Sequence, residues 1–136
     1  MERVTGLGGP FLKAVNPKEL AAWYEKHLGI PFNGNTYAIW KIPDPGTAGF
    51  TIFSLFPENS DYFNPSGKGT MINFMVKDLS GLIAVLREEG VDIIGEPIDE
   101  PYGKFGWIMD PEGHKIELWE PVDEVFTEMI AKSKTK

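Results

Sequence analysis

INFMVKDLSGLIAVLREEGV, residues Ile72–Val91, is the stretch on which the reading of the fold turns. It opens with a strand pattern: Ile72, Phe74 and Val76 alternate with Asn73 and Met75, so one side of the strand is set to pack beneath a helix. Asp78 is then placed to cap a helix, Leu79, Leu82, Ile83 and Leu86 form an apolar stripe of helical period, and Gly90 supplies a left-handed stop. The unit is strand, helix, glycine.

The same unit occurs upstream. FLKAVNPKELAAWYEKHLGI, Phe11–Ile30, aligns with it without gaps at an offset of 61 residues, with Val15 matching Val76 and Gly29 matching Gly90. Here Asn16 is the predicted N-cap, Pro17 suits the first helical position, and Glu19 completes a capping box. Leu20, Trp23, Tyr24, His27 and Leu28 make the stripe. Strand-like segments follow each helix: Thr36–Ile42 and Phe50–Phe56 around the turn-rich DPGTAG, then Gly106–Met109 and Lys115–Trp119 around DPEG. Each half is read as βαβββ, an α+β arrangement of two tandem modules, with a duplicated ferredoxin-like fold as the alternative. The modules span about 4–56 and about 70–121, joined by a Pro-, Gly- and Ser-rich linker, 57–69, and followed by a tail, 122–136, whose basic AKSKTK reads as a solvated end.

The chain of 136 residues is long enough for one core without covalent staples. It has no cysteine, which excludes a disulfide scaffold, a thiolate nucleophile, a zinc finger and an iron–sulfur cluster. His27 and His114 are the two histidines, and structural or surface roles are expected of both. A formal charge of −7 opposes binding to nucleic acid or to anionic membranes. With no apolar run of membrane-spanning length and no signal-like start, a cytoplasmic location is expected.

AAWYEKHLGI, DYF, MINF and GWIMDPEG together resemble small bacterial members of the vicinal oxygen chelate superfamily, which includes glyoxalase I, bleomycin-resistance proteins and extradiol dioxygenases. The resemblance implies an incomplete barrel around a cavity, helices outside, and a homodimer; the cavity can form within one chain or across two. It also implies that metal-dependent members chelate a divalent ion from four strand positions. Carried over, these fall on Gly9 or Pro10, Phe53, Met71 and Glu117. Only Glu117 suits a hard divalent cation, since Gly, Pro and Phe offer no ligating side chain and a thioether is too soft. No cofactor is therefore expected, the alternative being one divalent metal bound from unusual positions such as Glu117 with His114.

Alternation in KIELWE sends Ile116 and Leu118 beneath a helix and Lys115, Glu117 and Trp119 to the other side, where the resemblance implies the cavity. Glu117 is the candidate acid or base, or is paired with Lys115 or Lys13 in a purely structural role. Phe53, Met71, Asn73, Tyr102, Trp107 and Trp119 are candidate ligand contacts, with Tyr37 as a further aromatic wall. Tyr62–Phe63 could cover the mouth, and PIDEPYG, 97–103, could form a second lid hinged at Gly103. The expected function is binding or sequestration of a small molecule without metal. The alternatives are a metal-dependent lyase or isomerase of the lactoylglutathione lyase type, and a metal-free enzyme using Glu117 with a nearby tyrosine.

Overall fold

A computed structural model describes residues 3–28, 30–41, 50–110 and 113–134. Gly29, the DPGTAG tract and the Pro111–Glu112 pair of the second turn lie outside the described residues, as does the side chain of His27.

The elements are β1 (Val4–Ala14), α1 (Pro17–Leu28), β2 (Tyr37–Lys41), β3 (Phe50–Pro57), β4 (Thr70–Val76), α2 (Leu79–Glu88), β5 (Asp92–Glu100), β6 (Gly103–Met109), β7 (Lys115–Pro121) and α3 (Asp123–Lys134). The strands form one curved, unclosed sheet in the order β2-β3-β1-β4-β7-β6-β5. The repeat is visible in the pairing. β1 runs parallel to β3 as β4 runs parallel to β7, and each module continues outward through an antiparallel partner, β2 or β6. β1 and β4 pair antiparallel at the centre, so the two modules share a single sheet within one chain. Among the described residues two strands follow α1, whereas three follow α2.

The helix starts are built as their sequences require. The side chain of Asn16 accepts from the backbone N–H of Glu19 at 3.2 Å, and that of Asp78 accepts from Gly81 at 3.0 Å. Past α2, Val91 N–H returns to the carbonyl of Leu86 at 3.0 Å while Gly90 adopts φ 81°, which satisfies the last carbonyls of the helix. α1 buries Ala21 against Phe32, Ala38, Phe53 and Leu55; α2 buries Leu79, Leu82 and Ile83 against Val76 and Leu118. These two clusters fix which face of each strand points outward beneath the helices.

The inner face has its own apolar packing in two patches. Phe11 and Met71 lie beneath Phe63 of the inter-module segment, and Phe50, Met75 and Trp119 lie beneath Met129 and Ile130 of α3. α3 corrects the reading of 122–136 as a tail. The helix runs through Lys134, and its support is the apolar inner face rather than any propensity of AKSK. PIDEPYG is corrected too. Ile98, Asp99 and Glu100 are laddered to β6, and Pro101–Tyr102 form the hairpin turn, so the tract is an edge strand and its turn rather than a free lid. Pro97 is tolerated there because β5 is the last strand of the sheet and its ladder is irregular between Ile94 and Ile98.

Candidate functional site

The register of the inner strands decides what meets at the centre of the sheet. Gly9 on β1 opposes Asn73 on β4, and Asn73 opposes Glu117 on β7. Both polar side chains are buried, Asn73 at 0% and Glu117 at 2% exposure. The Asn73 amide donates from Nδ2 to Glu117 Oε2 at 2.7 Å. Trp107 on β6 donates its indole N–H to Oε1 at 3.1 Å, and the Tyr62 hydroxyl donates to the same oxygen. One carboxylate thus gathers three donors from β4, β6 and the inter-module segment.

Two glycines of β1 make room for this cluster. A Cβ at Gly8 would lie 1.7 Å from Asn73 Oδ1, and one at Gly9, which has φ 135°, would lie 1.8 Å from the carbonyl of Ile52. A side chain at either position would displace Asn73 or push β1 away from β3.

Tyr62 is held by a latch. Lys115 Nζ donates to the Tyr62 carbonyl at 2.6 Å and lies 5.2 Å and 5.4 Å from the Tyr62 and Trp107 ring centres. Four residues on, the Ser66 hydroxyl donates to the Gly113 carbonyl at 2.7 Å, tying the same segment to the β6–β7 turn. The Tyr62 ring stacks on Phe56 at 5.1 Å and meets Trp107 edge-on at 6.0 Å.

Burial dominates the electrostatics. Removal from water pushes the Glu117 carboxyl above its usual range, although Tyr62, Asn73, Trp107 and the Lys115 charge pull it back. Burial also lowers the Lys115 ammonium, against the opposing pull of Glu117 and Asp61. The Tyr62 phenol is pushed up, first by burial and then by the neighbouring carboxylate. A carboxyl with a raised pKa, held against a phenol in an apolar setting, is suited to accept or return a proton.

Beside the cluster lies a cavity of about 510 Å³. Asn73, Glu117 and Tyr62 supply its polar floor; Phe11, Ile52 and Phe56 form one wall and Ile98, Tyr102 and Phe105 the other. Tyr37 and Tyr102 are 38% and 42% exposed and stand at the mouth, whereas Glu117 is at the bottom. Met129 of α3 closes one end.

The candidates divide accordingly. Asn73, Tyr102, Tyr37 and Glu117 border the cavity, and Trp107 reaches the site through its bond to Glu117. Phe53 does not: it stands on the helix side of β3, edge-on to Tyr24 at 5.1 Å beneath α1, while Ile52, Ser54 and Phe56 face inward. The segment FTIFSLF is apolar on both faces, so alternation alone does not reveal its phase. Met71 is on the inner face but is covered by Phe11 and Phe63, and Trp119 is fully buried beneath α3, where it stacks on Phe105. Neither reaches the cavity. Tyr62 is more than a cover, since its hydroxyl is a partner of Glu117, and Phe63 is core. Lys13 lies over the Phe63 ring, away from Glu117. His114 is engaged by Asp110, backbone N–H at 2.9 Å and Nδ1 at 2.8 Å, and so serves the turn rather than a site with Glu117. Met129 had no sequence-level argument of its own, although it and Ile130 follow Phe126 by three and four residues, a helical stripe.

These residues do not fit a divalent metal. The groups that surround Glu117 are N–H and O–H donors with an ammonium beyond them, and among the described residues no three His, Cys, Asp or Glu side chains converge.

Comparison with known proteins gives a consistent picture. The model of the Glyoxalase/Bleomycin resistance protein/Dioxygenase superfamily matches residues 12–118. A sequence comparison with curated proteins returns no match. Among solved structures, methylmalonyl-CoA epimerase from Mycobacterium tuberculosis is 23% identical, with 92% of this chain and 93% of that chain covered at a TM-score of 0.62. A variant of the Streptomyces coelicolor methylmalonyl-CoA epimerase, in complex with 2-nitronate-propionyl-CoA, is 19% identical over 88% of this chain and 99% of that one, with a TM-score of 0.65. A superfamily member from Vibrio splendidus 12B01 is 15% identical, covering 88% and 99%, with a TM-score of 0.54. At these identities the likeness is one of fold.

Proposed function

Because the chain belongs to the Glyoxalase/Bleomycin resistance protein/Dioxygenase superfamily, whose strands enclose a cavity, we propose that it binds a small molecule on the inner face of its sheet without a metal. The observation that carries this reading is a 510 Å³ cavity walled mainly by aromatic and aliphatic side chains, with Asn73, Tyr62 and Glu117 as its polar floor and Ser54, Tyr37 and Tyr102 adding hydroxyls to its walls. Apolar walls supply affinity and a few fixed polar groups set orientation. This reading places a planar aromatic ligand between the stacked Phe56–Tyr62 pair and Tyr102, with its hydroxyl or protonated nitrogen toward the acid at the bottom. The donor-rich surroundings of Glu117 support the metal-independent form of the reading.

Thermal-shift and tryptophan-fluorescence titration with phenols and aminoheteroaromatic cations tests it, each in EDTA and in added Mg²⁺ or Mn²⁺. Stabilisation that is the same with and without metal is the expected result. Stabilisation that appears only with metal, or with no compound at all, overturns the proposal.

The Tyr62–Glu117 hydrogen bond favours a second reading, a metal-free enzyme. Glu117 takes a proton from a carbon beside a carbonyl and the Tyr62 hydroxyl faces the oxygen that gains charge. Incubating acyl thioesters with the protein in D₂O and following loss of the α-proton signal by NMR separates the two. Exchange that is abolished in Glu117→Gln establishes the enzyme, and no exchange leaves binding.

A further inference from the structure

At α3 the 510 Å³ cavity meets a second space. Met129, together with Tyr37 and Ile39 of β2, borders both the 510 Å³ cavity and a second one of about 290 Å³ that opens beside Pro31 and Asn35. The two spaces therefore share three residues. Of these, Tyr37 and Ile39 are fixed on a strand, whereas Met129 is an unbranched side chain on a helix whose packing falls on β2 and the Trp119 patch. Methionine has three rotatable bonds and repacks at little cost.

Resting on the binding reading above, we propose that the two cavities are one elongated site partitioned by the Met129 side chain, and that its ligand is an aromatic alcohol carrying an alkyl tail. The hydroxyl meets Glu117 and Tyr62, the ring lies against Phe56, and the tail passes Ile39 and Met129 into the space under α3. The floor is polar at Glu117, Asn73 and Tyr62; Ile52, Ile39 and Met129 give the path to α3 an apolar lining beside Ser54 and the Tyr37 ring, and the second space is lined by Pro31 and Ile130 together with Asn35 and Lys132. A ligand with one polar end and a hydrocarbon stem long enough to pass Met129 matches the apolar part of that path. Met129 acts as the specificity-determining residue for tail length.

The test compares 4-methylphenol with 4-hexylphenol by calorimetric titration into the wild type, Met129→Ala and Met129→Ile, each checked for folding by circular dichroism. The alanine variant removes the partition; the isoleucine variant keeps an aliphatic side chain of similar size but is stiff at its first torsion. Each methylene newly withdrawn from water is worth about fourfold in affinity. The result is read as the ratio of 4-hexylphenol to 4-methylphenol affinity in each protein, since Met129 also borders the space that takes the ring. That ratio is expected to rise at least tenfold in Met129→Ala and to fall at least tenfold in Met129→Ile. If Met129→Ala does not fold, Met129→Ile decides alone. If 4-methylphenol binds and the ratio does not respond to either substitution, the elongated site is wrong and the simpler cavity stands. If neither phenol binds the wild type, the binding reading itself falls, and the inference with it.

Discussion

Asn73 and Glu117, register partners on the parallel strands β4 and β7, are joined side chain to side chain by a 2.7 Å hydrogen bond, while the other amide atom, Asn73 Oδ1, is buried without a hydrogen-bond partner. The pair is thus donor-complete toward the carboxylate and acceptor-rich behind it. A neutral amide in place of the acid is accommodated if Asn73 turns its amide over, presenting Oδ1 to the new Nε2–H.

Glu117→Gln is therefore expected to fold and to change the pH dependence of stability. Burial raises the folded pKa of Glu117 above its ordinary value of 4.5, so the folded chain holds this proton where the unfolded chain has released it. Stability then falls as pH rises from about 4.5 through the folded value, and the full cost is present above it. The glutamine variant lacks that cost. Its melting temperature relative to wild type is expected to climb from pH 4 to pH 8, as read by scanning calorimetry; a difference that stays flat across this range contradicts the assignment.

Tyr62→Phe removes one donor from a buried acceptor. A loss of about 1–3 kcal/mol is expected above the folded pKa of Glu117, shrinking towards pH 4 where the carboxyl is protonated. Chemical denaturation of Tyr62→Phe, Glu117→Gln and the double variant measures the coupling: if the two single effects simply add, the hydroxyl–carboxylate contact contributes nothing.

Gly8→Ala places a methyl group where Asn73 Oδ1 sits, 1.7 Å from the new carbon. Destabilisation of about 1–3 kcal/mol or more is expected from overpacking, with loss of ligand stabilisation as Asn73 is driven off Glu117. Adding Asn73→Ala is expected to recover part of the stability and none of the binding. Wild-type stability in Gly8→Ala alone would show that the strand yields freely here.

Phe53 and Tyr37 test the phase of the first module. Phe53→Ala is expected to cost about 3–5 kcal/mol as a core truncation beneath α1, and binding of 4-methylphenol by the folded fraction should be unaffected. Tyr37→Ala is expected to cost only about 0.5 kcal/mol, as a half-exposed side chain, and to weaken binding. Calorimetry on both variants reads the two effects, and a reversal of the pattern would place the cavity on the other side of β3.

Much of this architecture was legible from residue patterns. The caps at Asn16 and Asp78, the α2 stripe and the alternation of KIELWE are local statements that the tertiary structure repeats, because helix period and strand pleat act within a few residues. Glu117 could be assigned to the inner face for the same reason. β3 is the exception: both of its faces are apolar, so alternation does not reveal that Phe53 faces α1 rather than the cavity. Tyr62 could be placed near the mouth but not on Glu117, since its position depends on the Lys115 and Ser66 latches across 53 and 47 residues of chain.

By itself the sequence determined that two strand–helix modules are repeated and that cysteine chemistry is excluded, while the family resemblance implied that Glu117 stands among strand positions otherwise unable to hold a hard cation. The first two follow from periodicity and from residue type, which need no knowledge of distant partners. Only the tertiary structure decided that the modules join through β1 and β4 into one sheet within a single chain, that three donors converge on Glu117, and that α3 lies across the inner face with Met129 between two cavities. Strand register and long-range packing set those outcomes. Both are properties of surfaces brought together from separate parts of the chain, and no local pattern encodes them.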